Sequence, residues 1–219
     1  VLIVDDHELY AVSLTMALRQ SGIPARRARM SSAASILHSA GESEPGLVVL
    51  DLHLGHDENT GEVLSPVSLC RQLRAVGWRV LVVSGGRDED TTASAIAAGA
   101  VGALPKTASF DALVSTVGAA TTGQPVMTER ERGEWLGRHF VAQRERQEAE
   151  RRLARLSRRE REVLELLVQG RRAAQVAEHF TVSLTTVRTQ IRAILSKLEC
   201  NSQIEAVALA SRWMEDHAF

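Results

Sequence analysis

Five side chains, spread over a hundred positions, suit a single piece of chemistry. Asp5 and Asp6 follow the apolar run 1–4, and Asp51 follows the run 47–50. Ser84 follows the run 80–83, and Lys106 comes just after the run 101–104. If those four runs lie side by side as parallel strands, their carboxyl ends converge, and three carboxylates, a hydroxyl and an ammonium meet in one crevice. Carboxylates packed that closely repel unless a cation offsets them. Mg²⁺ suits such a place, because it is a hard ion that takes one or two carboxylates and keeps room for phosphate oxygens. Lys106 would then pair with one phosphoryl oxygen and Ser84 would hydrogen-bond another. Taken singly, a paired Asp-Asp marks a strand-end turn and a lysine after a strand is solvated. The order and spacing of all five carry the signal.

The elements that must position these residues are legible in residues 1–122. The four runs are short and rich in Val and Leu, the pattern of strands buried on both faces in a parallel sheet. Helical patterns lie between them, at about 8–20, 31–39, 66–76, 90–98 and 109–120, with Ser65-Pro66 as a cap-plus-first-turn signal for the third. A fifth strand around 25–30 is inferred from position, since Arg26, Arg27 and Arg29 give it little apolar character. Five βα units predict an α/β fold, a doubly wound five-stranded parallel sheet.

Residues 123–155 differ in kind. Gly123-Gln124-Pro125 breaks the pattern, Thr128 can cap, and a charged helical stretch follows. Glu134–Arg138 and Glu148–Arg152 are spaced as i,i+4 pairs on an exposed helix. A heptad-like register through Trp135, His139, Ala142, Arg146, Ala149, Leu153 and Leu156 leaves open a coiled-coil dimer beside the plainer solvated linker helix.

Residues 156–219 are patterned as four short helices, a small all-α domain. Ser157-x-x-Glu160 is a capping box, Gly170 ends the first helix, 173–180 forms the second, and Thr181-Val182-Ser183 turns into the third. Ser202-x-x-Glu205 caps the fourth. Val187, Ile191, Ile194, Leu195 and Leu198 share the buried face of the third helix, while Thr185, Arg188, Thr189 and Arg192 share another. A helix after a helix and a three-residue turn, exposing two arginines on one stripe, has the layout of a recognition helix. Arginine suits bidentate contact with guanine in the major groove, and threonine suits phosphates or thymine methyls.

Net charge carries less information. Residues 1–122 hold 9 basic and 13 acidic side chains, 123–155 hold 8 and 6, and 156–219 hold 9 and 8. So weak a basic excess would not by itself indicate nucleic acid. No apolar run approaches the roughly 20 residues needed to span a bilayer, and the opening run is too short for a signal-peptide core. The chain starts at Val1 without a methionine, so the initiation site is expected a few residues upstream. Cys70 and Cys200 sit in separate apolar periodic segments and read as reduced core thiols of a cytoplasmic protein.

Residues 1–122 resemble the receiver domain of two-component response regulators. The likeness is carried by Val-Asp-Asp-His at 4–7, Leu-Asp-Leu-His-Leu at 50–54, Val-Ser-Gly at 83–85 and Leu-Pro-Lys at 104–106. It implies that Asp51 is the phosphoacceptor, that Asp6, Asp51 and the backbone carbonyl of His53 ligate Mg²⁺ with Asp5 assisting, and that Ser84 and Lys106 are the switch hydroxyl and phosphoryl-binding lysine. Two positions depart from the family. Ala103 stands where receivers usually carry an aromatic residue that swings inward, and the loop 55–61, with His56 in it, is longer and more acidic than usual.

Residues 156–210 resemble the LuxR-type helix-turn-helix of the NarL/FixJ family. The motifs are Leu-Ser-Arg-Arg-Glu-Arg-Glu-Val-Leu at 156–164, Val-Ala-Glu at 176–178 and Val-Ser-Leu-Thr-Thr-Val-Arg-Thr at 182–189, completed by Lys197-Leu198 and Ala206-Val207. The likeness implies base contacts from Arg188, Thr189 and Arg192 and dimerisation through the last helix, about 202–214. Residues 171–175 and Gln190 depart from the family and bear on operator sequence.

The expected organisation is a receiver domain at 1–122, a helical linker at 123–155 and a DNA-binding domain at 156–219. The expected function is transcription regulation by DNA binding, switched when a histidine kinase phosphorylates Asp51, with Mg²⁺ as cofactor and RNA polymerase and a second copy of the chain as further partners. An alternative keeps the domains but makes DNA binding independent of phosphorylation, the receiver serving dimerisation or ligand sensing. A phosphatase built on an Asp nucleophile would want a carboxylic acid two residues after Asp51, where His53 stands. Slow self-hydrolysis of the phosphoaspartate is the only catalysis expected.

Overall fold

The computed structural model describes residues 1–86 and 88–216, in two compact units, Val1–Phe140 and the chain from Val141. The first opens with β1 (Leu2–Val4), α1 (Glu8–Gln20), β2 (Arg26–Arg27), α2 (Ala33–Gly41) and β3 (Leu47–Asp51). It continues with α3 (Pro66–Ala75), β4 (Arg79–Ser84), α4 (Glu89–Ala97), β5 (Gly102–Pro105) and α5 (Phe110–Thr121). The five strands pair in parallel in the order β2-β1-β3-β4-β5. The direction of winding therefore reverses between β1 and β3, the strands that end at Asp5-Asp6 and Asp51.

Alternation along the strands splits the core in two. Val48, Leu50, Val80 and Val82 face one helical layer, while Leu47, Val49, Leu81 and Val83 face the other. Each such side chain, fully removed from water, contributes about 1.5–3 kcal/mol before the entropy of ordering it is set against that gain. The edge strand β2 pairs only at Arg26 and Arg27, shorter than the 25–30 expected. Its arginines reach outward instead, Arg26 to Glu42 at 3.4 Å and Arg27 to Glu8 at 3.5 Å. β5 begins one residue later than the apolar run, with the Val101 N–H donating to the Val80 carbonyl at 2.7 Å just before the strand.

Thr128 and Glu131 cap a long helix, α6 (Glu129–Ala154), whose first half belongs to the first unit and second half to the other. Gly102 allows the segment that precedes α6 to lie close on β5: a Cβ there would stand 2.6 Å from Val126 Cγ2. The expected pair Glu134–Arg138 does not form. Glu134 bonds Arg130 at 3.2 Å, and Arg138 turns to Glu89 of α4, which comes within reach because Trp135 and Leu136 pack against the first core cluster. Glu148–Arg152 does form, at 3.0 Å. The heptad residues Trp135 and His139 are likewise engaged by the first unit, and Leu153 and Leu156 by the core of the second.

The second unit adds α7 (Arg158–Val168), α8 (Ala173–Phe180), α9 (Leu184–Leu198) and α10 (Gln203–Asp216). The expected DNA-binding domain runs to residue 219, and its last three residues lie outside the described ones. Val163, Leu164, Leu167, Val176, Val187, Ile194 and Leu198 close a common core. Ser157 and Glu160 form the capping box, and the Glu160 carboxylate also takes Lys197 Nζ at 2.6 Å, tying α7 to α9. Ser183 caps α9 by accepting from the Thr186 N–H at 3.0 Å. No helix among the described residues is long and apolar enough to cross a membrane.

Candidate functional site

At the carboxyl edge of the sheet, Asp51 is wholly buried as the last residue of β3, and Asp5 is nearly so. Lys106 Nζ lies 2.6 Å from Asp51 Oδ2 and 2.8 Å from Asp5 Oδ2. The His7 N–H donates to Asp5 Oδ1 at 2.8 Å, which fixes that carboxylate in the turn after β1. Asp6 is exposed, with its Oδ1 2.9 Å from His7 Nδ1. Candidate ligand atoms of Asp5, Asp6, His7 and Asp51 all lie within 4.8 Å of one another.

Electrostatics in the pocket follow from burial. Loss of water raises the Asp51 carboxyl above its ordinary range, the hydrogen bond from Lys106 works against that, and the Asp5 charge adds to it. For Lys106 burial is the largest single influence and pulls its pKa down, yet Asp5 and Asp51 together outweigh it and hold the ammonium above its ordinary value. Tyr10 lies under this lysine, its ring centroid 5.0 Å from Nζ. Burial, with Asp5 and Asp51 beside it, pushes the Tyr10 phenol up to about 12. Asp51 Oδ1 is buried and meets no hydrogen-bond partner of proper geometry. A buried carboxylate oxygen left open at a cluster of hard donors is where a cation or a phosphoryl group would bind.

Of the five residues expected to meet, four are in contact through this network. Ser84 is at the same edge but is not joined to it by its side chain. The Ser84 carbonyl accepts from the Lys106 backbone N–H at 2.7 Å, pinning the lysine to β4, and the residue lines a neighbouring cavity with Ala103. His53 is exposed, and its Nε2 lies 3.1 Å from Asp88 Oδ1, a link across the crevice between the loops that follow β3 and β4. Sequence reasoning missed the parts played by His7, Tyr10 and Asp88. His7 and Tyr10 had a signal, being on the turn directly after Asp5-Asp6 and one helical turn apart.

The long loop after β3 is a built element. His56 and Val63 form an antiparallel bridge, and Asp57 accepts from the Asn59, Thr60 and Ala33 N–H groups at 2.9, 3.3 and 3.0 Å. Those bonds hold the Asp57 carboxyl below its ordinary value, with Asn59 contributing most. Gly55, at φ +66, lets the loop pass Asp6 closely: an added Cβ would stand 3.3 Å from Asp6 Oδ2. His56 itself is exposed.

On α9, Thr185, Arg188, Thr189 and Arg192 are all exposed on one side, and Val187, Ile194 and Leu198 are buried on the other. Among the described residues neither Arg188 nor Arg192 forms an ion pair, whereas Arg155, Arg158 and Arg159 of the same unit each pair with a glutamate. Thr181, at φ +53, closes α8 in the left-handed conformation and aims the chain into α9.

Residues 1–118 match the family described as response regulator receiver domain, and residues 154–210 match bacterial regulatory proteins, luxR family. The chain is 27% identical over 214 residues to the transcriptional regulatory protein LiaR of Bacillus subtilis (strain 168), covering 97% of this chain and 96% of that one. It is 24% identical over 208 residues to the nitrate/nitrite response regulator protein NarL of Escherichia coli (strain K12), with 94% and 92% covered. RcsB from Salmonella enterica serovar Typhimurium, solved bound to promoter P1flhDC in the presence of the phosphomimetic BeF3-, shares the fold over 96% of each chain at a TM-score of 0.50 and 17% identity. With a receiver domain over more than half its length and a luxR-type domain after it, the chain belongs to the NarL/FixJ family of two-component response regulators, which are DNA-binding transcription regulators.

Proposed function

We propose that Asp51 accepts a phosphoryl group from a histidine kinase and that the phosphoaspartate strengthens DNA binding through α9. The observation that carries this is the state of Asp51: one oxygen held by Lys106, the other buried and open, with Asp5 and Asp6 alongside. An Asp51 oxygen attacks phosphorus, the bond from phosphorus to the kinase imidazole nitrogen breaks, and that nitrogen leaves. Lys106 exchanges Asp51 Oδ2 for a phosphoryl oxygen, and Ser84 hydrogen-bonds another. The carboxylates of Asp5, Asp6 and Asp51 offer hard oxygens beside His7, which fits Mg²⁺ held by Asp6, Asp51 and the His53 carbonyl with Asp5 assisting. When bound, the ion offsets the carboxylates and the charge of the phosphoryl group, about −1.5 to −2.

The phosphorylated chain then dimerises, with α10 contributing, and sets two copies of α9 in successive major grooves roughly 34 Å apart. Arg188, Thr189 and Arg192 read bases and Thr185 contacts phosphate, with RNA polymerase as the downstream partner and the cytoplasm as the setting. Catalysis is confined to slow hydrolysis of the phosphoaspartate.

Labelling with a small-molecule phosphoryl donor tests the acceptor. The native chain takes up label in the presence of Mg²⁺, and Asp51→Asn does not. Equal labelling of both would remove Asp51 from the account. A second reading, DNA binding independent of phosphate, is motivated by Ala103, where receivers usually carry an aromatic residue, and by the long acidic loop 55–61. A native chain that takes no label yet binds its operator would establish it.

A further inference from the structure

Three side chains of the first half of α6 fasten it to α4 and to the turn between α4 and β5. The Arg132 guanidinium donates to the carbonyls of Ala100 and Val101 at 3.2 and 3.1 Å. Arg138 pairs with Glu89 and lies 5.3 Å from the Trp135 ring. His139 Nδ1 is 3.2 Å from Ser94 Oγ. Trp135 sits between these contacts, part-buried, and packs on the core cluster of which Ala103 is a neighbour. Beside its indole is a cavity of about 200 Å³ whose walls include Ser84, Thr92 and Ala103. None of those three side chains is large. Ala103 stands where the family resemblance leads one to expect an aromatic ring.

We propose that Trp135 reads the state of Ser84: its indole stands at one side of a cavity that Ser84 lines, so a shift of Ser84 alters the space open to the indole and the seating of α6. This rests on the reading of Asp51 as phosphoacceptor. The physical chain is short. Ser84 O holds the Lys106 N–H, Ser84 is paired with Pro105, and Val82 is paired with Ala103. When a phosphoryl group on Asp51 draws Lys106 and the Ser84 hydroxyl toward it, the end of β4 moves away from the cavity. An apolar ring bordering a void lacks contact atoms on that side, and filling the enlarged space regains them. The indole therefore moves inward. Arg132, Arg138 and His139, which lie one turn or less from Trp135, must re-seat with it. Because α6 continues without a break to Ala154, the signal enters the helix that leads into the DNA-binding unit.

The test uses the full chain carrying Trp78→Phe and Trp213→Phe, so that Trp135 is the only tryptophan, with beryllofluoride and Mg²⁺ as the phosphoryl probe. Beryllofluoride binding is followed separately by fluorine NMR. The expected result is a blue shift of Trp135 emission and weaker quenching by acrylamide when the probe binds, with both changes lost in Ser84→Ala. Bound beryllofluoride with unchanged emission overturns the role of Trp135 and leaves Asp51 as acceptor. Failure of beryllofluoride to bind overturns the acceptor reading and this inference with it. Should the double Phe variant not fold, hydrogen exchange of residues 129–140 in the native chain replaces the optical readout. Exchange there is expected to change with the probe in the native chain and not in Trp135→Ala; an equal change in both overturns the proposal.

Discussion

The carboxylate pocket and the exposed face of α9 use charge in opposite ways. In the pocket, Asp5, Asp51 and Lys106 are largely taken out of water, Lys106 pairs with both carboxylates while Asp51 Oδ1 is left open, and the pKa values of Asp51 and Lys106 are both raised. On α9, Arg188 and Arg192 are exposed and form no ion pair among the described residues, the state that the proposed contacts with phosphates and base edges require. A buried network is costly to leave half-satisfied, so one added group rearranges its members. An exposed arginine costs little to leave unpaired, and its worth is realised only against DNA. The first arrangement suits a switch and the second a reader.

Substitutions that confuse the two roles sharpen the contrast. The largest effect is expected at Asp51: Asp51→Asn reduces phosphoryl labelling to background, measured with a small-molecule donor, while DNA affinity without donor is unchanged. Next come Arg188→Ala and Arg192→Ala. Each is expected to weaken operator binding by about 1–3 kcal/mol, roughly 5- to 150-fold, in fluorescence anisotropy, with labelling at Asp51 untouched. Loss of labelling in an α9 variant would show that the two regions are not separable.

A smaller effect concerns stability. Glu160 carries the capping box of α7 and the link to Lys197, so Glu160→Gln is expected to lower the stability of the second unit by about 1–2 kcal/mol in urea melts. Burial acts to raise the Glu160 carboxyl, but the Lys197 and Ser157 hydrogen bonds outweigh it and hold the pKa below the ordinary 4.5. Its contribution is thus present above 4.5 and lost as pH falls through the lowered value. Asp51 has the opposite sign. Its raised pKa makes the native state the better proton acceptor, so its contribution declines as pH rises from the ordinary 3.8 through the raised value. Hydrogen exchange followed down an acid series should show the second unit loosening while the Asp51 contribution grows more favourable; parallel loss at both sites would contradict these assignments. Smallest is Ser183→Ala, at about 1 kcal/mol or less, from removal of the α9 cap.

The sheet, the order of the domains and the buried face of α9 were legible in sequence because each rests on local periodicity or capping. Strand runs rich in Val and Leu announce burial on both faces, and Ser157-x-x-Glu160 announces a helix start. The short β2 was harder, since three arginines mask it and only the pairing of Arg26 and Arg27 with β1 defines it. The partners of Arg138 were not legible at all. Its i,i+4 neighbour Glu134 is close in sequence, but Glu89 is 49 residues away and competes only once α6 is docked. The same holds for Trp135, whose heptad position suggests a partner helix and whose actual surroundings are α4 and β5. The side-chain link of His53 to Asp88 depends on how two loops approach each other, which no local pattern encodes.

The account turns on whether the pocket controls the reader. DNA affinity is measured for the native chain and for Asp51→Asn, each with and without a small-molecule phosphoryl donor and Mg²⁺. Coupling of about 1–3 kcal/mol, roughly 5- to 150-fold, is expected in the native chain, and none in Asp51→Asn. A native chain whose label is verified at Asp51 but whose affinity does not change, or an equal response in Asp51→Asn, would contradict it.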